Sequence, residues 1–145
     1  MSTQYCTFHL GDLLLGVEAR SVQEVLRAQP VTHVPLAPDF VRGLMNLRGQ
    51  IVPVVDLRTR LGSSAELGAA RPINVLLRTS GGLVSLLTDR IGDVLELGPE
   101  QVERVPETLQ GRARDVVSGA LRLPDRLVLL LDPERVAIEK SEKLS

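Results

Sequence analysis

The chain of 145 residues carries 17 basic and 18 acidic side chains, a formal net charge of −1, so no long-range positive field draws it to nucleic acid. Aromatic residues make up 2% of it, too few to build the stacking platforms that single strands need. A composition 43% hydrophobic and 24% charged is that of an ordinary soluble globular domain, and its core must be built from Leu and Val.

The N-terminal MSTQYCTFHLGD lacks the basic segment and apolar run of a signal peptide, and no apolar run reaches bilayer-spanning length, so a cytoplasmic protein with no direct membrane insertion is expected. Tyr5 to Leu10 alternates polar and apolar, Gly11-Asp12 turns the chain, and Leu13 to Val17 returns as the second arm of a hairpin. Cys6 stands alone in this strand and is read as a small buried hydrophobe, which excludes an intrachain disulfide. His9 and His33 have no partner at ligand spacing, so no metal or other cofactor is expected.

From Glu18 to Arg27, Val22, Val25 and Leu26 fall at helical spacing with Ser21 placed to cap, which predicts a short helix. Gln29 to Pro38, with three prolines around Val31-Thr32-His33-Val34, reads as an edge strand leading into a loop. Val41 to Gly62 then forms the central feature, a hairpin whose tip is Leu47-Arg48-Gly49-Gln50. Its second arm, Ile51 to Val55, is β-branched apart from Pro53, which predicts a sheet edge or a bulge, and Asp56 closes the strand.

Gly62 to Pro72 is small, polar and glycine-containing, and is the expected link between two halves. Ile73 to Arg78, a Ser80-Gly81-Gly82 turn and Leu83 to Leu87 form another hairpin, and Arg90 to Leu97 follows as a strand or short helix. Gly98 to Val116 reads as a long surface loop. Ser118 to Asp132 is a further hairpin, and Pro133 opens a short C-terminal helix, 133–145, with a charged end.

Two of these blocks are copies. A shift of seventy-six positions lays Val117 to Asp132 on Val41 to Asp56 without a gap, pairing Gly43 with Gly119, Leu47 with Leu123 and Asp56 with Asp132. A shift of sixty-nine lays Arg90 to Leu95 on Ser21 to Leu26. One supersecondary unit is thus used twice. Each half alone is marginal in size, so the two should share a core. The predicted fold is all-β: one domain over 1–145 with a first barrel over about 5–62, a linker over about 62–72 and a second barrel over about 73–132, each barrel rolled from one repeat.

No catalytic arrangement is present in the sequence. Ser63, Ser64 and Ser80 lack a His in a plausible motif, the glycine pairs match no phosphate cradle, and Asp56 and Asp132 sit at strand ends. An enzyme is not expected, which leaves function to binding surfaces.

Gly43-Leu44-Met45-Asn46-Leu47-Arg48-Gly49-Gln50-Ile51-Val52-Pro53-Val54-Val55-Asp56-Leu57 resembles the hallmark of the CheW-like family, the coupling proteins of bacterial chemosensory arrays. Weaker matches run from Phe8-His9-Leu10-Gly11 through Val22-Gln23-Glu24-Val25 and Asp89 to Leu97 to Ser118 to Asp132, so the resemblance spans nearly the whole chain. It implies two SH3-like five-stranded β-barrel subdomains with short helices. It also implies a non-catalytic adaptor that couples the cytoplasmic hairpin tip of methyl-accepting chemoreceptors to the regulatory domain of a chemotaxis-type histidine kinase. The receptor-binding groove it implies comprises Val22, Glu24, Val25, Gly43, Asn46, Arg48 and Val94. The kinase is expected to meet mainly the second barrel, with no individual residue assigned. Thr108 departs from the pattern, standing where ring-building members can carry a large apolar residue.

Taken alone, Arg48 at a hairpin tip reads as a solvated charge, and Val22, Val25 and Val94 read as core. Two rival functions are a kinase-type regulatory domain acting by itself and a general SH3-like interaction module. The second is disfavoured because grooves for proline-rich ligands are lined with aromatics that this chain lacks.

Overall fold

The structure, a computed structural model, describes residues 1–62 and 71–137. Most of the predicted linker and the end of the predicted C-terminal segment lie outside these residues. Among the described residues the elements are β1 (Thr3–Leu10), β2 (Leu13–Glu18), β3 (Val22–Arg27), β4 (Val41–Leu47), β5 (Gln50–Asp56), α1 (Leu57–Arg60), β6 (Ile73–Thr79), β7 (Gly82–Thr88), β8 (Arg90–Leu97), β9 (Val102–Glu103), α2 (Arg112–Val116), β10 (Val117–Arg122), β11 (Leu127–Leu131) and α3 (Pro133–Ala137). The fold is all-β with short helices, as the sequence predicts.

The strands form a six-stranded sheet, β8-β1-β2-β11-β10-β9, and a five-stranded sheet, β3-β6-β7-β5-β4. Position for position the two orders match: β8 answers to β3, β1 to β6, β2 to β7, β11 to β5 and β10 to β4. Each sheet has one parallel pair at the same place, β11 with β2 and β5 with β7. The duplication therefore holds in three dimensions, but the expectation that each barrel is rolled from one half does not. Each half lends its opening hairpin to the other half's strands. The six-stranded sheet takes β1 and β2 from the first half, and the five-stranded sheet takes β6 and β7 from the second.

Three apolar clusters reflect this arrangement. One belongs to the five-stranded sheet, with Met45, Leu47, Val52, Val54, Leu76 and Leu87. Another belongs to the six-stranded sheet, with Leu14, Leu97, Leu121, Val128 and Leu130. The largest draws Phe8, Leu15, Val17, Leu129 and Leu131 from one sheet and Val55, Val75, Leu77, Val84 and Leu86 from the other. The shared core is what makes the halves interdependent.

The repeats coincide in detail. The ladder slips between Val41 and Gly43 and again between Val117 and Gly119, so both hairpins carry the same bulge. Asp56 N–H donates to the Phe40 carbonyl at 2.7 Å, and Asp132 N–H donates to that of Val116 at 2.9 Å. Both aspartates then cap a helix. Asp56 Oδ1 accepts from Arg58 N–H at 3.1 Å and Asp132 Oδ1 from Glu134 N–H at 2.9 Å.

Several local expectations need correction. Glu18 to Arg27 is not a helix: a 3-10 turn over Ala19–Ser21 leads straight into β3. In β3, Val22, Glu24 and Leu26 are half-buried while Gln23, Val25 and Arg27 are exposed, the period-two alternation of a strand. Arg90 to Leu97, open between strand and helix, is the strand β8. The stretch from Gly98 to Val116 holds a 3-10 turn, β9 and α2 in place of a plain loop, with Val116 fully buried. Gln29 to Pro38 contributes one bridge, Thr32 to Leu44, the counterpart of β9 on β10.

The strand β5 lies inside its sheet, and the bulge falls on β4, so neither device foreseen for Pro53 is used there. Leu44, opposite Pro53, gives both of its backbone groups to Thr32, so Leu44 and Pro53 exchange no hydrogen bond. The parallel ladder to β7 begins one residue later, at Val54. The missing proline donor falls where no neighbouring strand needs it.

Candidate functional site

The tip of the β4–β5 hairpin is a two-residue turn in which Arg48 has φ 51° and Gly49 φ 87°. Two successive positive φ values give the type I′ geometry that matches strand twist, and Asn or Gly is the usual occupant of the first position. Arginine there is a local disadvantage, since a side chain in the left-handed region crowds its own carbonyl. Asn46 braces the turn, its Oδ1 accepting from Gly49 N–H at 2.9 Å. The Cα–Cβ bond of Arg48 therefore leaves a braced backbone.

In the structure the side chain reaches toward β3. Neither sheet closes by a ladder, and in the five-stranded sheet β3 and β4 are the two open ends. The Arg48 guanidinium donates to the Glu24 carboxylate, so an ion pair bridges the hairpin tip and the opposite edge strand. The arginine side chain remains 66% exposed and the glutamate 29%. A pair this open adds about 0.2–1 kcal/mol. It orients groups more than it holds the fold.

The strands on either side of the pair also carry exposed apolar side chains. Val25, next to Glu24, is 41% exposed and Ile51, just past the turn, is 58% exposed. The predicted residues Glu24, Val25, Asn46 and Arg48 thus all belong to the strands and turn of one sheet, with Glu24 and Arg48 in direct contact. Gly43 has a structural duty: a Cβ there would lie 2.3 Å from the Thr32 carbonyl oxygen, so glycine lets the proline-rich segment cross β4. Val22 packs against the shared core. Val94 is in the other sheet, on β8, where it occupies Val25's place in the repeat and is 60% exposed, with Ile91 nearby at 49%. The predicted set is therefore split between the two sheets, with Val94 alone on the six-stranded one.

Sequence reasoning missed Ile51, Ile91 and Leu36. Leu36 is fully exposed at φ 66°, in a turn where Ala37 N–H donates to the Val34 carbonyl at 3.4 Å. Nothing in Val34-Pro35-Leu36-Ala37 signals a left-handed leucine. The segment is anchored at its far end, where Arg112 makes two hydrogen bonds to Asp39 at 2.6 and 3.0 Å. That guanidinium holds the Asp39 carboxyl below the usual range.

Among the described residues, the titratable groups whose protonation the fold shifts lie on β1 and just before β4. Burial, then Arg90 and Arg126, hold the His9 imidazole below its ordinary value, against Asp93 and Asp89. Burial raises the Cys6 thiol, and burial with Glu18 raises the Tyr5 phenol. Among the described residues no group of three or more His, Cys, Asp or Glu is placed to hold a metal ion, and no helix is long and apolar enough to cross a membrane.

The comparisons with known proteins agree with this reading of the fold. The chain is 31% identical over 133 residues to the chemotaxis protein CheW of Klebsiella aerogenes, covering 92% of this chain and 80% of that protein. Over 54 residues, 37% of this chain and 34% of the relative, it is 44% identical to the protein FrzA of Myxococcus xanthus. Its fold matches the crystal structure of the scaffolding protein TtCheW from Thermoanaerobacter tengcongensis with a TM-score of 0.86, at 24% identity, over 97% of this chain and 95% of that one. Residues 4–140 match the CheW-like domain, and the chain belongs to the CheW-like family of chemotaxis proteins.

Proposed function

We propose that this protein is a non-catalytic adaptor that couples the cytoplasmic hairpin tip of a chemoreceptor to the regulatory domain of a chemotaxis-type histidine kinase. The observation that carries the reading is Arg48. It occupies a turn position that disfavours it, its side chain is mostly exposed, and its ion pair with the half-buried Glu24 is open to solvent. A residue held at a local cost that returns little stability points to work at an interface. Val25 and Ile51 supply apolar area on the same sheet, and Val94 supplies a second contact on the other sheet. Together they suit a helical receptor tip that presents acidic and apolar side chains. The kinase domain is assigned to β9, β10 and β11 of the six-stranded sheet, leaving β8 with its Val94 to the receptor, so that both partners bind at once.

The test is a three-component binding experiment. A receptor-tip hairpin fragment is titrated into the adaptor alone and into the adaptor saturated with the kinase regulatory domain. The proposal predicts a ternary complex with receptor affinity kept. Mutually exclusive binding would contradict a coupling role.

A further inference from the structure

Helix α1 ends on a buried cation. Arg60 is 7% exposed, and its guanidinium carbon lies 4.5 Å from the centroid of the Phe40 ring. Its Nε donates to the Val136 carbonyl at 3.1 Å and its Nη2 to the Arg135 carbonyl at 2.8 Å, both at the end of α3. The seventy-six-residue shift that aligns the hairpins lays Arg60 on Val136. The contact thus joins equivalent helices, one following β5 of the five-stranded sheet and one following β11 of the six-stranded sheet. Helix α3 packs in turn on β6 of the five-stranded sheet.

Between the sheets lies the shared apolar core, and the other polar contacts at its edge, such as Arg112 to Asp39 and Ser80 to Glu134, are exposed, whereas the Arg60 bonds are buried. Apolar burial is non-directional and follows area, so such a core resists separation more than small sliding or rotation. Directional bonds at its edge are needed to select one angle. A buried guanidinium is a weak source of net stability, and buried polar groups are best attested as devices that choose one arrangement among several of similar energy.

We propose that Arg60 is a positioning residue that fixes the five-stranded sheet relative to the six-stranded sheet, and with it the spacing between Val25 on β3 and Val94 on β8. What that spacing serves rests on the adaptor reading; the spacing itself does not. The test uses spin labels on exposed Gln4 of β1 and Gln23 of β3 in a Cys6→Ser background, with the distance distribution read by pulsed electron resonance. In Arg60→Met, which keeps an apolar stem and removes the donors, the distribution broadens or its mean shifts while unfolding stays cooperative. Arg60→Lys, with a cation and a shorter reach, falls between Met and wild type. A distribution for folded Arg60→Met that superposes on wild type overturns the proposal, however far the melting temperature falls. Failure of both the Met and Lys variants to fold also overturns it, since Arg60 then acts through stability. No partner is in the sample, so either result leaves the adaptor reading standing.

Discussion

Asp56 and Asp132 occupy the same position of the repeat, yet their surroundings predict different costs of removal. Asp56 is 4% exposed, caps α1 through Arg58 N–H, and holds the Arg58 guanidinium at 3.0 Å, with Arg42 at 3.6 Å. Replacing it with Ala removes a cap worth about 1 kcal/mol. It also breaks a charge-assisted hydrogen bond worth about 1.5–3 kcal/mol. A total of about 3 kcal/mol corresponds, at about 2–4 °C per kcal/mol for a chain near this size, to a fall of about 6–12 °C. Asp132 caps α3 through Glu134 N–H, but its side chain is 31% exposed and Arg135 stands at 3.4 Å. For Asp132→Ala the cap alone is counted, about 1 kcal/mol and about 2–4 °C. Asp56→Asn keeps an acceptor for the cap and loses the charge, and belongs between the two. Thermal unfolding followed by circular dichroism measures all three. Equal losses for Asp56→Ala and Asp132→Ala would refute the argument that burial and the Arg58 pair separate the two copies.

Three further outcomes follow from single sites. Gly43→Ala forces a Cβ against the Thr32 carbonyl and should destabilise by about 2 kcal/mol or more, whereas Gly49→Ala, with open space around it, should show the strain of its positive φ alone; denaturant titration compares them. Thr88→Val should raise the melting temperature, because the buried Thr88 hydroxyl has no hydrogen-bond partner among the described residues and burying it so costs about 1–3 kcal/mol; a lowered value would mean the hydroxyl is satisfied in solution. His9 has a folded-state pKa below its ordinary value of 6.5, so the unfolded chain takes up the proton first on acidification. Its contribution is fully present above pH 6.5 and is lost as pH falls through the folded-state pKa; His9→Gln should flatten the melting profile in that window, and an unchanged slope would count against it.

The central hairpin was legible because its signals are local: apolar arms, a Gly at the turn, an Asp able to cap, all seen twice. Arg48 and Glu24 were both picked out, but their contact spans two edges of one sheet and has no trace in sequence spacing. The reciprocal exchange of opening hairpins was not legible either. Leu13 to Val17 and Leu83 to Leu87 are equally apolar, and nothing in either says which partner strand it will find. The failure at β3 came from period counting: Val22, Val25 and Leu26 satisfy a helical spacing, while the edge of a sheet, where an outward Val25 is tolerated, satisfies the observed burial. Gly43 was assigned to the binding groove on its place in the motif, and only the close crossing of Thr32 reveals what a side chain there would strike.

The adaptor reading is tested most directly at Arg48, by measuring the melting temperature of Arg48→Ala and its affinity for a chemoreceptor hairpin-tip fragment. The ion pair to Glu24 is exposed, so stability should change by no more than about 0.5 kcal/mol. If Arg48 meets an acceptor on the receptor, leaving that acceptor unpaired costs about 1–3 kcal/mol, roughly a five- to hundredfold loss of affinity. Glu103→Ala, on β9 of the other sheet, serves as the surface control and should leave receptor affinity unchanged. Unchanged affinity for Arg48→Ala, with the protein folded, would contradict the assignment of the hairpin tip to the receptor.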